Sequence, residues 1–140
     1  MKTYRVCIAG FAHVHINDVA SHFVDHPQTQ LVGLADTKPV VPGLKPGAPY
    51  TREWNIRYVS DLCGAPIYED WRAMLDTLRP DLCVVNSENS YHVEITQFCA
   101  ERGIGVCIEK PMADNLADGF RMARAAQMHN SFLMVNWPVT

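Results

Sequence analysis

Apolar residues gather in short runs with little strict alternation, at Tyr4–Ala9, Leu31–Ala35, Leu82–Val85, Val106–Ile108 and Phe132–Val135. Runs of this kind suit parallel strands covered on both faces. Between them the period changes. Ile16, Val19, Ala20 and Phe23 recur at i, i+3, i+4 and i+7, as do Trp71, Met74, Leu75 and Leu78, and each set predicts a helix with one apolar stripe. The second of these helices starts near Asp70, an acceptable N-cap, and stops before Pro80, which disfavours helix in the residue ahead of it. Further helices are expected over Thr51–Cys63, over Val93–Arg102 ending at Gly103, and from about Asn115 to His129 with Asp114 as the cap; a short strand is expected at Ile67–Tyr68. Strand and helix alternate along the chain, which predicts an α/β fold with a doubly wound, mainly parallel sheet and right-handed crossovers. The stretch Thr37–Pro49, TKPVVPGLKPGAP, is too rich in proline and glycine for a regular element and is expected to be a long loop leaving the second strand.

With 140 residues, 48% hydrophobic and 19% charged, the chain has the size and composition of one folded domain, taken as residues 1–140. The net charge is −3 and the basic residues are scattered, so nucleic acid and anionic membrane surfaces are poor partners. No apolar stretch approaches the roughly 20 residues that cross a bilayer. Lys2 and Arg5 precede only a short apolar run that ends in histidines, which reads as a first strand rather than a secretory signal. Cys7, Cys63, Cys83, Cys99 and Cys107 form no CxxC pair. They are expected as free thiols, mostly in the core, in a reducing cytoplasm.

In a doubly wound sheet, ligands bind beyond the carboxyl ends of the strands, and the suggestive polar residues fall there. Gly10 follows the first strand in IAGFAHVHI and suits a tight turn that aims backbone N–H groups at a diphosphate. The fingerprint G-x-G-x-x-G would require glycines where this chain has Ala12 and His15. Asp36 ends the second strand, near the spacing of a carboxylate that accepts hydrogen bonds from an adenosine ribose; it is equally a residue common in solvated turns. As a ribose ligand it would favour NAD over NADP, while Lys38 keeps NADP open. Asn86 to His92 follow the fourth strand and Glu109-Lys110-Pro111 the fifth. Lys110 is either an acid–base group facing the cleft or a surface lysine beside Glu109. His13 and His15 stand as polar lining of a nucleotide cleft, as structural residues, or, with His92, as metal ligands. Residues at i and i+2 face each other in neither helix nor strand, so no metal is expected.

The stretches VCIAGFAHVH, LVGLADTKP, YEDWRAMLDTLRPDLCVVNSENSYHVEITQFCAERGIGVCIEKPMADN and FLMVNW together resemble the N-terminal domain of the Gfo/Idh/MocA oxidoreductases. The most specific part is the ordered series of strand, polar turn ending in His, helix, glycine turn, strand and E-K-P. The resemblance covers nearly the whole chain and implies a Rossmann fold binding NAD, with NADP possible. On its pattern the cofactor would meet Gly10, Phe11, Ala12, His13, His15, Asp36, Ser87, Asn89, His92, Glu109 and Lys110, with Lys110 serving catalysis. Glu88 stands where the family commonly has proline. Family members continue into a second α+β domain that carries most of the substrate pocket and the oligomer interface. The resemblance therefore implies a chain that binds nucleotide but needs that domain to act on a sugar, cyclitol or polyol. Self-association through the surface left uncovered is a further expectation, and a nucleotide-sensing or partner-binding module without catalysis is the alternative.

Overall fold

The computed structural model describes residues 2–37 and 48–137. Lys38 and most of the proline-rich stretch lie outside the described residues. Strands β1 (Tyr4–Ala9), β2 (Thr29–Ala35), β3 (Ile67–Tyr68), β4 (Leu82–Val85), β5 (Gly105–Glu109) and β6 (Leu133–Asn136) alternate with helices α1 (Ile16–Asp25), α2 (Arg52–Cys63), α3 (Trp71–Leu78), α4 (Asn89–Ala100) and α5 (Leu116–Met128). The strands form one sheet in the order β3-β2-β1-β4-β5-β6, and every pairing is parallel. The expected doubly wound sheet is therefore present. Its order reverses between β1 and β4, which is the switch point where a crevice opens.

Side chains of the central strands alternate between two cores. Val6, Ile8, Val84 and Cys107 pack with Ile16, Ala20 and Val59 of α1 and α2. Cys7, Ala9, Cys83, Val85 and Ile108 pack on the other face with Met74, Leu75, Ile95 and Met122. Because both faces are covered, the strands read as nearly continuous apolar runs. Each large aliphatic side chain buried this way contributes about 1.5–3 kcal/mol. The cysteines behave as small core residues: all five are free, and only Cys63 is other than buried. Among the described residues no helix is long and apolar enough to cross a membrane.

The boundaries that differ from expectation have local causes. Helix α4 begins at Asn89, four residues before Val93. Its buried stripe is His92, Ile95, Thr96 and Cys99, with helical spacing but two polar members, so its first turn carries no hydrophobic signal. Helix α5 is capped by Asn115 rather than Asp114: Asn115 Oδ1 accepts from the Asp118 amide at 2.9 Å, and Asn115 Nδ2 donates to Asp118 Oδ2 at 2.8 Å. Strand β6 is displaced by one residue from Phe132–Val135 and so ends at Asn136, opposite Glu109.

Asp70 caps α3 as expected, accepting from the amides of Arg72 at 2.7 Å and Ala73 at 3.3 Å. Asp70→Ala should lower stability by about 1 kcal/mol. Urea denaturation should show this as a lower midpoint at unchanged slope.

Candidate functional site

The crevice at the switch point is built around Gly10. Its φ is +94°, and a Cβ there would lie 2.5 Å from both Cα and N of Ser87. A glycine is thus demanded by handedness and by contact at once. The turn after β1 and the turn after β4 are pressed together, and Asn86 stitches them: its carbonyl accepts from the Ala12 amide at 3.0 Å and its side-chain Oδ1 from the His13 amide at 3.1 Å. Gly10 was expected to aim its turn's N–H groups at a diphosphate. In this structure the amides of Ala12 and His13 bond to Asn86, and that of Phe11 to Asp36 Oδ1 at 3.2 Å.

Asp36 stands at the end of β2 as expected, though it is no solvated turn residue. Its Oδ1 also accepts from the Thr37 amide at 2.8 Å, and Arg52 Nε approaches Oδ2 at 2.8 Å. Burial pushes the Asp36 carboxyl above its usual range, while the Arg52 guanidinium and the amides of Thr37 and Phe11 pull it back. Arg52 Nη2 lies 3.0 Å from Glu88 Oε1, and Thr37 Oγ1 donates to Glu88 Oε2 at 3.0 Å. Arg52 is buried, yet its Nε and Nη2 hydrogens are not aligned with these oxygens and find no well-directed acceptor among the described residues. The contacts are therefore ionic in character rather than good hydrogen bonds. One turn along α2, the fully buried Asn55 donates to the Phe11 carbonyl at 3.1 Å and accepts from Asn17 Nδ2 at 3.1 Å. Helix α2 thus braces both the glycine turn and Asp36. Arg52 and Asn55 were missed in the sequence because they follow the proline-rich stretch with no motif around them.

Two residues expected to touch the cofactor are buried beneath the crevice. The Phe11 side chain is fully buried in the core with Ile16 and Val59. His92 is also fully buried, with Nδ1 3.1 Å from the Met112 carbonyl and Nε2 3.2 Å from the Ser87 carbonyl. It ties the turn after β4 to the segment after β5 and stands apart from His13 and His15. Ser87 is buried against Gly10, and Asn89 opens α4.

The third strand end closes the site. Glu109 is only 3% exposed; its Oε2 accepts from Asn136 Nδ2 at 3.2 Å and its Oε1 lies 3.0 Å from His15 Nδ1. Lys110 follows, half-buried, ahead of a cis bond to Pro111. The His13 and His15 rings are 4.1 Å apart, edge to face. The expectation that residues at i and i+2 cannot meet fails because both lie in the turn before α1, where neither helical nor strand spacing applies. Burial, with the nearby His15 and Lys110, pushes the His13 pKa down, and Glu109 opposes this. A cleft of ≈ 660 Å³ opens beyond β2 and β3, bordered by Asp36, Thr37, Ile56, Tyr68 and Trp71. It lies at the Asp36 end of the site, away from Lys110.

Residues 4–137 match the GFO/IDH/MocA oxidoreductase family, NAD-binding Rossmann fold. The chain belongs to this family. Among solved structures, the Gfo/Idh/MocA chain is similar to the WlbA dehydrogenase of Chromobacterium violaceum in complex with NADH and UDP-GlcNAcA, with TM-score 0.79 and 21% identity over 97% of this chain and 35% of that one. It is similar to myo-inositol 2-dehydrogenase of Lactobacillus plantarum, with TM-score 0.75 and 20% identity over 96% of this chain and 36% of that one. Biliverdin reductase of Synechocystis in complex with biliverdin and NADP+ has TM-score 0.74 and 22% identity over 95% of this chain and 37% of that one. The chain spans about a third of the length of these relatives. The shared part is an NAD-binding domain of an oxidoreductase family.

Among the described glycines of this Gfo/Idh/MocA domain, Gly10 is the one where an added methyl would meet backbone, that of Ser87, at 2.5 Å. Gly10→Ala should cost about 1–3 kcal/mol for overpacking and roughly 1–2 kcal/mol more for the left-handed backbone, read as a lowered denaturation midpoint.

Proposed function

We propose that this chain is the nucleotide-binding part of an NAD-dependent oxidoreductase that moves hydride between nicotinamide and a carbinol carbon of a sugar, cyclitol or related polyol. The observation that carries this reading is the Asp36 and Arg52 pair at the end of β2. A ribose bears hydroxyls that can donate to Asp36 and accept from the poorly aligned hydrogens of Arg52, so the residues present fit the adenosine end of a dinucleotide. Asp36 and Glu88 put two carboxylates there and would repel a 2′-phosphate, which favours NAD over NADP.

Nicotinamide, when bound, supplies the hydride acceptor or donor. Lys110, at the end of β5, would take or return the proton of the substrate hydroxyl. Glu109, buried and held by Asn136, fixes the strand end from which Lys110 projects. His13, His15, Ser87 and Asn89 would line the groove between the two ends, and Gly10 and Ala12 its floor.

Most of the substrate pocket would come from a further domain. Support comes from an exposed apolar set on α5 and around β6: Leu116, Phe120, Phe132 and Trp137 are each at least 60% exposed. A patch of this kind marks a surface made for contact. The chain alone would then bind nucleotide and turn over little or no polyol. The engagement of the turn's own amides by Asn86 and Asp36 favours a second reading, a partner-binding module without catalysis, because a diphosphate would find those amides taken.

Calorimetric titration of the chain should give saturable binding with NAD tighter than NADP. Asp36→Ala leaves Arg52 facing the ribose and should shift the NAD-to-NADP affinity ratio toward NADP by about tenfold, equivalent to roughly 1.4 kcal/mol. An unchanged ratio would remove Asp36 as the ribose ligand, and absence of saturable binding by either nucleotide would overturn the proposal. In a form of the protein that oxidises a polyol, Lys110→Met should depress kcat more than it raises KM; a protein whose Lys110→Met variant keeps its kcat would contradict the assigned proton transfer.

A further inference from the structure

The turn after β1 and the end of β5 bring two imidazoles and a carboxylate together. We propose that His13, His15 and Glu109 form a binding site for one divalent transition-metal cation of the zinc class, with its remaining coordination positions open to the groove. One ring nitrogen of each histidine and one Glu109 oxygen lie within 4.8 Å of one another. Two imidazoles and a carboxylate are the donor set that borderline cations take, usually with an open fourth position when the site does chemistry. Bonds of about 2.1 Å in a tetrahedral shell set ligand atoms roughly 3.4 Å apart. Small rotations of the two partly exposed rings make up the difference.

The carboxylate is already prepared. Asn136 occupies Oε2, leaving Oε1 toward the His15 ring, which is the outer-shell arrangement that orients a ligating carboxylate. A hydrogen bond between His15 and Glu109 orients one ring, and the His15 amide, donating to His13 Nδ1 at 3.3 Å, holds the second ring 4.1 Å from the first. Lys110 opposes a cation here, so metal bonding has to exceed that repulsion. The open positions would take an anionic or hydroxyl oxygen from whatever occupies the groove.

The proposal stands apart from the dinucleotide reading and is tested without nucleotide. The 140-residue chain carrying Cys63→Ser, which removes the most accessible thiol, is stripped with chelator and titrated with zinc sulfate by calorimetry. Cobalt(II) is added in parallel and followed by visible absorption. The expected result is one equivalent of zinc per chain, with affinity reduced at least about tenfold in each of His13→Ala and His15→Ala, loss of the cobalt bands in both, and no change in the exposed His22→Ala. Glu109→Gln should weaken binding similarly, and circular dichroism checks its fold; the two histidine variants decide the matter if it misfolds. Absence of saturable binding, or binding that persists in the His13→Ala/His15→Ala double variant, would overturn the proposal, as would loss of binding in His22→Ala.

Discussion

The approach of Gly10 to Ser87 is the constraint on which the site depends. With 2.5 Å between the Ser87 backbone and the place a Cβ would occupy, no other residue lets the turns after β1 and β4 close on each other. Once they close, Asn86 can bond to two successive amides of the first turn, and His92 can lock the second turn to the segment after β5. Three strand ends are thereby held in one crevice. The glycine serves the packing of protein against protein, which gives it a purpose apart from any phosphate.

Helix α2 adds the second support. From successive turns it sends Asn55 to the Phe11 carbonyl and Arg52 to Asp36 and Glu88. An arginine buried between two carboxylates is a poor source of net stability, because desolvation offsets most of the attraction. It holds two acids together beyond the end of β2 while its own Nε and Nη2 hydrogens find no well-directed acceptor among the described residues. A ligand with hydroxyls in the right place relieves that deficit. At the other end of the crevice Glu109 is buried with ordered partners, so both ends present carboxylates that are already positioned.

Much of the fold was legible because parallel strands covered on both faces write themselves as apolar runs. The ends of β1, β3 and β4, and the Asp70 cap of α3, fall where the sequence puts them. Legibility failed where polar residues take core positions. His92 and Thr96 complete the buried stripe of α4, so apolar periodicity alone places the helix start at Val93 and not at Asn89. Arg52 and Asn55 lie in a helix expected from Thr51, which proves to be its cap, yet no spacing rule connects them to Asp36 or Gly10, which are distant in sequence. His13 and His15 illustrate the same limit: periodicity says nothing of two rings in a turn, and Glu109 reaches them from the far side of β4 only after the sheet has formed.

The central claim is that a nicotinamide dinucleotide lies across the carboxyl ends of β2, β1, β4 and β5. Backbone amide chemical shifts followed during titration of the isotope-labelled chain with NAD test this most directly. The account predicts saturable shifts at Phe11, Ala12, Thr37, Ser87 and Lys110, with little change at the opposite end of the sheet near Tyr4, Asp81 and Gly105. Shifts confined to that opposite end, or no saturable shifts at all, would contradict it.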